Sequence, residues 1–183
     1  MNKETAKKDF ERKLAAFATG LQAYVSDAGG RWTIKGFIDA YKNVYTLTSD
    51  TKIVSKVLEI HLFPQFLNFA TENGFQLIPA EKQNWYPDIT FVSIAEPSLK
   101  FAVDLKTTYR IDPGYCNGFT LGSHGEYFVN RTSAKNVQYP YGEYYGHYIL
   151  GVIYSRNELS RLDGDKVYSI GELDAIPSVI ESF

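Results

Sequence analysis

The sequence predicts an α/β fold, a central mixed sheet flanked by helices, and three observations carry that prediction. Two long segments repeat their apolar residues with the period of a helix, two shorter ones read as strands joined by a turn, and Gly, Pro and Asp punctuate the intervals. At 183 residues, with 44% hydrophobic and 22% charged side chains, the chain is expected to form a single domain over residues 1–183. A chain of that length removes roughly 70% of its unfolded surface from water on folding.

Phe10, Leu14, Phe17 and Leu21 recur at steps of four, three and four among Lys, Glu and Arg, which predicts an amphipathic helix over residues 4–24. Asp27-Ala28-Gly29-Gly30 ends it. Trp32-Thr33-Ile34 and Val44-Tyr45-Thr46-Leu47 then read as the short strands of a ribbon around Asp39-Ala40-Tyr41-Lys42-Asn43. A ribbon this aromatic either packs on the edge of the core or meets another subunit, and its residues alone leave both open.

Ser49-Asp50 forms an N-cap pattern ahead of a helix carrying Ile53, Val54, Val57, Leu58 and Leu62. Pro64 is expected to interrupt or restart that helix before Phe66 and Phe69, and Gly74 to end it. Phe75-Gln76-Leu77-Ile78 reads as a short strand and residues 79–85 as a polar loop. Asp88-Ile89-Thr90-Phe91-Val92 and residues 100–106 read as two strands joined by the turn Ala95-Glu96-Pro97-Ser98.

A formal net charge of −2 excludes a body that grips nucleic acid by bulk electrostatics, so any such contact must be local. The one cysteine, Cys116, has no intramolecular partner, and Met1-Asn2-Lys3-Glu4-Thr5 lacks the apolar run of a signal peptide. A reducing, cytoplasmic setting is therefore expected, in which the sequon Asn130-Arg131-Thr132 has no meaning. No stretch approaches the ~18 uninterrupted apolar residues of a membrane span.

The chemistry concentrates on Tyr86-Pro87-Asp88 and Asp104-Leu105-Lys106. Pro87 suits the first position of a strand, which puts Asp88 near its beginning. A hairpin turning at Glu96 sets Asp88 opposite Asp104, with Cβ atoms about 4.5–5.5 Å apart, and strand alternation projects Asp104 and Lys106 from one face. Two ionised carboxylates about 5 Å apart repel by roughly 3 kcal/mol at an effective dielectric near 20. Lys106 offsets part of that, and a divalent cation offsets more. Mg²⁺ takes one or two carboxylates and completes its octahedron with water and phosphate oxygens. The pattern thus points to attack on a phosphodiester, with Lys106 orienting or helping to deprotonate the water.

The surroundings of this pattern extend it: Ser49-Asp50-Thr51-Lys52, Gln83-Asn84, Glu96-Pro97, Thr107-Thr108-Tyr109 and Phe119-Thr120-Leu121-Gly122. They continue with Tyr139-Pro140, His147, residues 149–156, Glu172-Leu173 and Ile176-Pro177. From about Trp32 onward the chain resembles the type II restriction endonucleases of the EcoRV kind, within the wider PD-(D/E)xK nuclease group. The resemblance implies a restriction-endonuclease-like core and Mg²⁺-dependent hydrolysis of double-stranded DNA. It implies that Asp88 and Asp104 bind Mg²⁺ and that Lys106 serves the attacking water. Glu59, read from its helix as a surface charge, matches a further acidic residue of that active site and becomes a candidate metal ligand. Lys82-Gln83-Asn84, otherwise a polar turn, matches a loop that reaches the minor groove. Thr51, Lys52, Thr107 and Thr108 are implied DNA contacts. The family acts as homodimers, which turns the helix and ribbon of residues 1–48 towards a subunit contact and matches a palindromic site.

The resemblance also sets an expectation about sequence choice. The family continues past the counterpart of Ile176-Pro177 into a loop that reads bases in the major groove, the main source of direct readout. This chain therefore uses other groups, has lost specificity, or is a part of a longer protein. A repair or structure-selective nuclease of the same wider group, or a catalytically silent DNA-binding or dimerisation module, are the alternatives. His61, His124 and His147 are too scattered for a zinc motif and read as core or surface residues. Tyr139, Tyr141, Tyr144, Tyr145 and Tyr148 read as core and rim packing, with stacking on bases as the other use. Arg110, Arg131, Lys135 and Arg156 are phosphate contacts or solvated charges.

Overall fold

The computed structural model describes residues 2–82, 84–119, 126–157 and 166–183, and its elements largely fall where the apolar periods put them. Helix α1 is Lys3–Val25, strands β1 and β2 are Gly36–Ile38 and Asn43–Thr46, and helix α2 is Thr51–Glu72. Strands β3 (Phe75–Pro79), β4 (Ile89–Ser93), β5 (Lys100–Asp112) and β6 (Tyr115–Cys116) follow. Helix α3 (Glu126–Val129) and strands β7 (Tyr144–Arg156), β8 (Val167–Ser169) and β9 (Ile180–Ser182) complete the order. The larger sheet runs β3-β4-β5-β7-β9 with β6 paired to β5, and the smaller runs β1-β2-β8. The fold class is α/β, a restriction-endonuclease-like sheet flanked by helices. Among the described residues no helix is long and apolar enough to cross a membrane.

The chain forms two compact units. The first comprises Met1–Gly20, Phe63–Lys106 and Thr120–Gly151, the second Leu21–Leu62, Thr107–Phe119 and Val152–Phe183. In the first, β3, β4 and the start of β5 form an antiparallel meander in which Phe91 lies opposite Phe101 and Thr90 opposite Ala102. Because side chains alternate along a strand, the two faces separate. Phe91 and Phe101 point to the helical side, where Phe10 of α1 stacks on Phe101 at 4.1 Å between ring centroids and meets Phe69 and Phe75 edge-on. Ala102 points to the other side, into a cluster of Tyr86, Tyr127, Val137 and Tyr144. There the Thr90 and Tyr144 hydroxyls share a hydrogen bond of 3.1 Å.

In the second unit, β1, β2 and β8 form an antiparallel ribbon whose inner face holds Val44 and Tyr168 against Ile176. Its outer face carries a cross-strand row of Phe37, Tyr45 and Val167, all exposed. The first ribbon strand begins later than Trp32, because Trp32 is buried and commits its indole N–H to Nδ1 of His61 at 3.2 Å. Gly36 supplies the close approach: a Cβ there would sit 2.3 Å from the Tyr45 carbonyl oxygen.

Helix α2 starts as its cap pattern predicts, Asp50 accepting the amides of Lys52 and Ile53. It does not break at Pro64, which lies inside the helix. A proline in a helix interior costs about 3 kcal/mol, and the buried row Val54, Leu58, Leu62, Phe66 and Phe69 outweighs that through tertiary packing. Gly74, at φ 72°, then terminates it. Strand β5 runs past Lys106 because its far end turns into β6, with Arg110 opposite Cys116.

Phe10 is the hub of the first unit's helical side, touching Phe69, Phe75, Phe91, Phe101 and Tyr148. Phe10→Ala should lower the unfolding free energy by about 3–5 kcal/mol, read by urea denaturation. Phe17→Ala, at a half-buried position of the same helix, should cost distinctly less.

Candidate active site

The β4–β5 hairpin has the register its turn predicts. Ile89 lies opposite Val103 and Val92 opposite Lys100, so Asp88, one residue ahead of β4, faces Asp104. The turn is closed by the Ser93 amide on the Leu99 carbonyl and the Leu99 amide on the Glu96 carbonyl, at 2.9 and 2.8 Å. Asp88 stands outside the strand because its amide bonds a side chain. The Asp88 N–H donates to Oδ1 of Asp104 at 3.1 Å, and the Leu105 N–H donates to Oδ2 of Asp88 at 2.8 Å. Each carboxylate thus holds the strand bearing the other.

Lys106 projects from the same face as Asp104, as alternation requires. Its Nζ is 3.1 Å from Oδ2 of Asp104 and 3.8 Å from Oδ2 of Asp88. One ammonium between two carboxylates offsets their repulsion and leaves the trio net negative. Asp104 is buried, with 9% of its side chain exposed, whereas Asp88 is 39% exposed. The pair therefore opens to solvent on the Asp88 side.

His147, on β7, reads from the sequence as a core or surface residue rather than as part of the site. Its Nε2 lies 4.0 Å from Oδ2 of Asp104, is buried, and has no hydrogen-bond partner among the described residues. Burial above all holds the imidazole below its ordinary pKa; Asp104 opposes this and Lys106 reinforces it. The ring is clamped by Phe128, stacked at 5.6 Å, and by Tyr86, edge-on at 4.9 Å. The buried Tyr86 hydroxyl likewise has no hydrogen-bond partner among the described residues, and burial foremost, then the Asp104 charge, pushes its pKa up. No short-range spacing links His147 to Asp104. The tyrosine-rich stretch before it was the available signal, and it pointed to packing: Tyr141 and Tyr144 line this cluster.

Among the described residues no three His, Cys, Asp or Glu side chains gather to hold a metal. Two opposed carboxylates with solvent access nevertheless fit Mg²⁺, which keeps several waters and needs no protein cage. The net negative trio and the orphaned Nε2 and Tyr86 hydroxyl beside it are consistent with such an ion and its waters.

The other expected site residues are placed as follows. Glu59 belongs to the second unit, where it pairs with Lys56 one helical turn earlier. Lys82 and Asn84 are exposed in the loop before Tyr86, with the Lys82 ammonium 4.7 Å from the Trp85 ring centroid. Gln83, and His124 with Thr120-Leu121-Gly122, lie outside the described residues. Thr107 is half-buried, while Thr108 is buried and donates its hydroxyl to the Asn117 carbonyl at 2.7 Å. Lys52 is exposed and Thr51 accepts from Arg156 at 2.8 Å.

Removing the ammonium leaves both carboxylates facing each other. Without added divalent ions, Lys106→Met should lower stability by about 1–3 kcal/mol, the range for a buried hydrogen-bonding group left unsatisfied. Asp88→Asn added to it should recover most of the loss, as a thermodynamic double-mutant cycle would read.

The family description "Restriction endonuclease EcoRV" matches residues 28–183. The type II restriction enzyme EcoRV of Escherichia coli is 36% identical over 151 residues, which cover 82% of this chain. The chain spans 60% of that relative's length. With a match over most of its length and the opposed carboxylates and lysine in place, the chain belongs to the EcoRV restriction endonuclease family.

Proposed function

We propose that this chain carries the catalytic centre of a type II restriction endonuclease, hydrolysing phosphodiester bonds of double-stranded DNA with Mg²⁺ held by Asp88 and Asp104. The observation that supports it most is the clasp in which these two carboxylates face one another with the Lys106 ammonium between them. The match to an enzyme named as a type II restriction enzyme supports the substrate class.

Bound at the carboxylates, Mg²⁺ supplies Lewis-acid polarisation of the phosphoryl group and stabilises the leaving oxygen. Asp88 and Asp104 are pre-set for this by the two amide hydrogen bonds, so little reorganisation is needed at the moment of reaction. Lys106 exchanges part of its carboxylate contact for a hydrogen bond to the attacking water and orients it. The water oxygen bonds to phosphorus and gives up one proton to solvent, the bond from phosphorus to the leaving oxygen breaks, and that oxygen takes up one proton from solvent. Lys82, Gln83 and Asn84 serve the minor groove, and Thr51, Lys52, Thr107 and Thr108 serve backbone and bases.

The chain acts as a homodimer through the exposed row Phe37, Tyr45 and Val167, with Tyr41 beside it at 86% exposure. Aromatic rows of this kind favour burial at an interface over solvent. Two-fold symmetry then presents one centre to each strand of a palindromic site.

Plasmid DNA incubated with the purified chain and Mg²⁺ should be cut, EDTA should stop it, and Asp104→Ala should abolish it. Lys106→Ala should lower kcat by about 10²–10⁴-fold. Equal absence of cutting by the unmodified chain and Asp104→Ala would overturn the enzymatic reading. A smear in place of discrete fragments would overturn site specificity. By analytical ultracentrifugation, the unmodified chain should sediment as a dimer and Phe37→Asp/Tyr45→Asp as a monomer with unchanged secondary structure. A monomeric unmodified chain would remove the dimer from the proposal.

A further inference from the structure

We propose that His147 is a positioning residue for Asp104, donating from Nε2–H to the carboxylate when Lys106 turns towards water or phosphate, with Tyr141 setting its tautomer. This rests on reading Asp88 and Asp104 as the metal-binding pair.

The geometry around the ring selects the donor. Nδ1 faces the Tyr141 hydroxyl at 3.4 Å, and Nε2 faces Oδ2 of Asp104 at 4.0 Å. A neutral imidazole has one N–H and one lone pair. If Nδ1 carried the hydrogen, the Nε2 lone pair would face a carboxylate oxygen with no donor between them, which is repulsive. If the tyrosine donates to Nδ1, Nε2–H faces the carboxylate, which is attractive. The second arrangement wins, and the partner of the remote nitrogen fixes the tautomer, as it does in metal-linked histidines.

The distance matters as much as the direction. At 4.0 Å the Nε2–H stops just beyond hydrogen-bonding range, and its nitrogen is buried with no other partner among the described residues. An unsatisfied buried donor is costly, so this one is held in reserve by surrounding structure. Phe128, Tyr86 and Tyr141 surround the ring within 4.9–6.2 Å between centroids and leave it one direction in which to donate. Meanwhile Lys106 occupies the same Oδ2 at 3.1 Å. An ammonium that orients a water must loosen that contact, and Oδ2 would then lose its charged donor. His147 is the group poised to replace it. Partners behind ligating groups of this kind alter metal affinity or activity by about 10–100-fold when removed.

The test is Mn²⁺ binding to the full chain without DNA, followed by the loss of the free-ion electron paramagnetic resonance signal. His147→Phe keeps an aromatic ring in the cluster and removes the donor. His147→Gln returns a donor near the Nε2 position. Asp104→Ala marks the site. Mn²⁺ affinity should fall by about tenfold or more in His147→Phe, should return in large part in His147→Gln, and should fall in Tyr141→Phe, which removes only the hydroxyl. Near-ultraviolet circular dichroism checks that each variant is folded. If His147→Phe does not fold, Tyr141→Phe decides. Unchanged affinity in a folded His147→Phe, equal loss in the Phe and Gln variants, or, where Tyr141→Phe decides, unchanged affinity in that variant, would overturn the role of His147 and leave the metal pair standing. Equal Mn²⁺ binding by the unmodified chain and Asp104→Ala would overturn the metal pair and this inference with it.

Discussion

Asp104 accepts the amide of Asp88 while Asp88 accepts the amide of Leu105, and the local design of the first unit depends on this exchange. Two carboxylates brought this close would spread the hairpin apart by their repulsion. Here each is anchored by a backbone donor on the opposite strand, so separating the charges would also break two hydrogen bonds. The residual negative charge is met by Lys106, which alternation places on the same face as Asp104. A held hairpin and a net negative carboxylate pair thus arise from the same few atoms.

The hairpin holds this position because its other face is anchored more firmly still. Phe91 and Phe101 are completely buried and stack into the rings contributed by α1, α2 and β3. A one-residue slip in register would turn these rings towards the tyrosine side and Asp104 into the apolar layer, at a cost far above that of the slip's own hydrogen bonds. The core therefore determines which way the carboxylates point. Behind them the tyrosine cluster supplies a buried backing that lowers the pKa of His147 and raises that of Tyr86.

The second unit divides its surface differently. Its ribbon buries Val44 and Tyr168 and leaves the opposite row of Phe37, Tyr45 and Val167 in solvent. Near the far end of β5, Arg156 lies 3.5 Å over the Tyr109 ring and donates to Thr51 at the start of α2. Contacts of this kind give the Thr51 and Thr108 hydroxyls protein partners.

Much of this was legible in the chain itself. The period of Phe10, Leu14 and Leu21 predicts α1, Asp50 predicts the start of α2, and the turn at Glu96 sets Asp88 opposite Asp104. These follow from covalent periodicity, which acts between residues a few positions apart or across one tight turn. The continuity of α2 through Pro64, the burial of Trp32 on His61, and the approach of His147 to Asp104 were not legible. Each depends on what packs against the segment, and in the last case on a strand more than 40 positions later in the chain. By itself the sequence determined the carboxylate pair, the lysine and their shared face. Only the tertiary structure decided that a buried imidazole stands behind Asp104, because such a contact is selected by the packing of distant elements and leaves no period in the sequence.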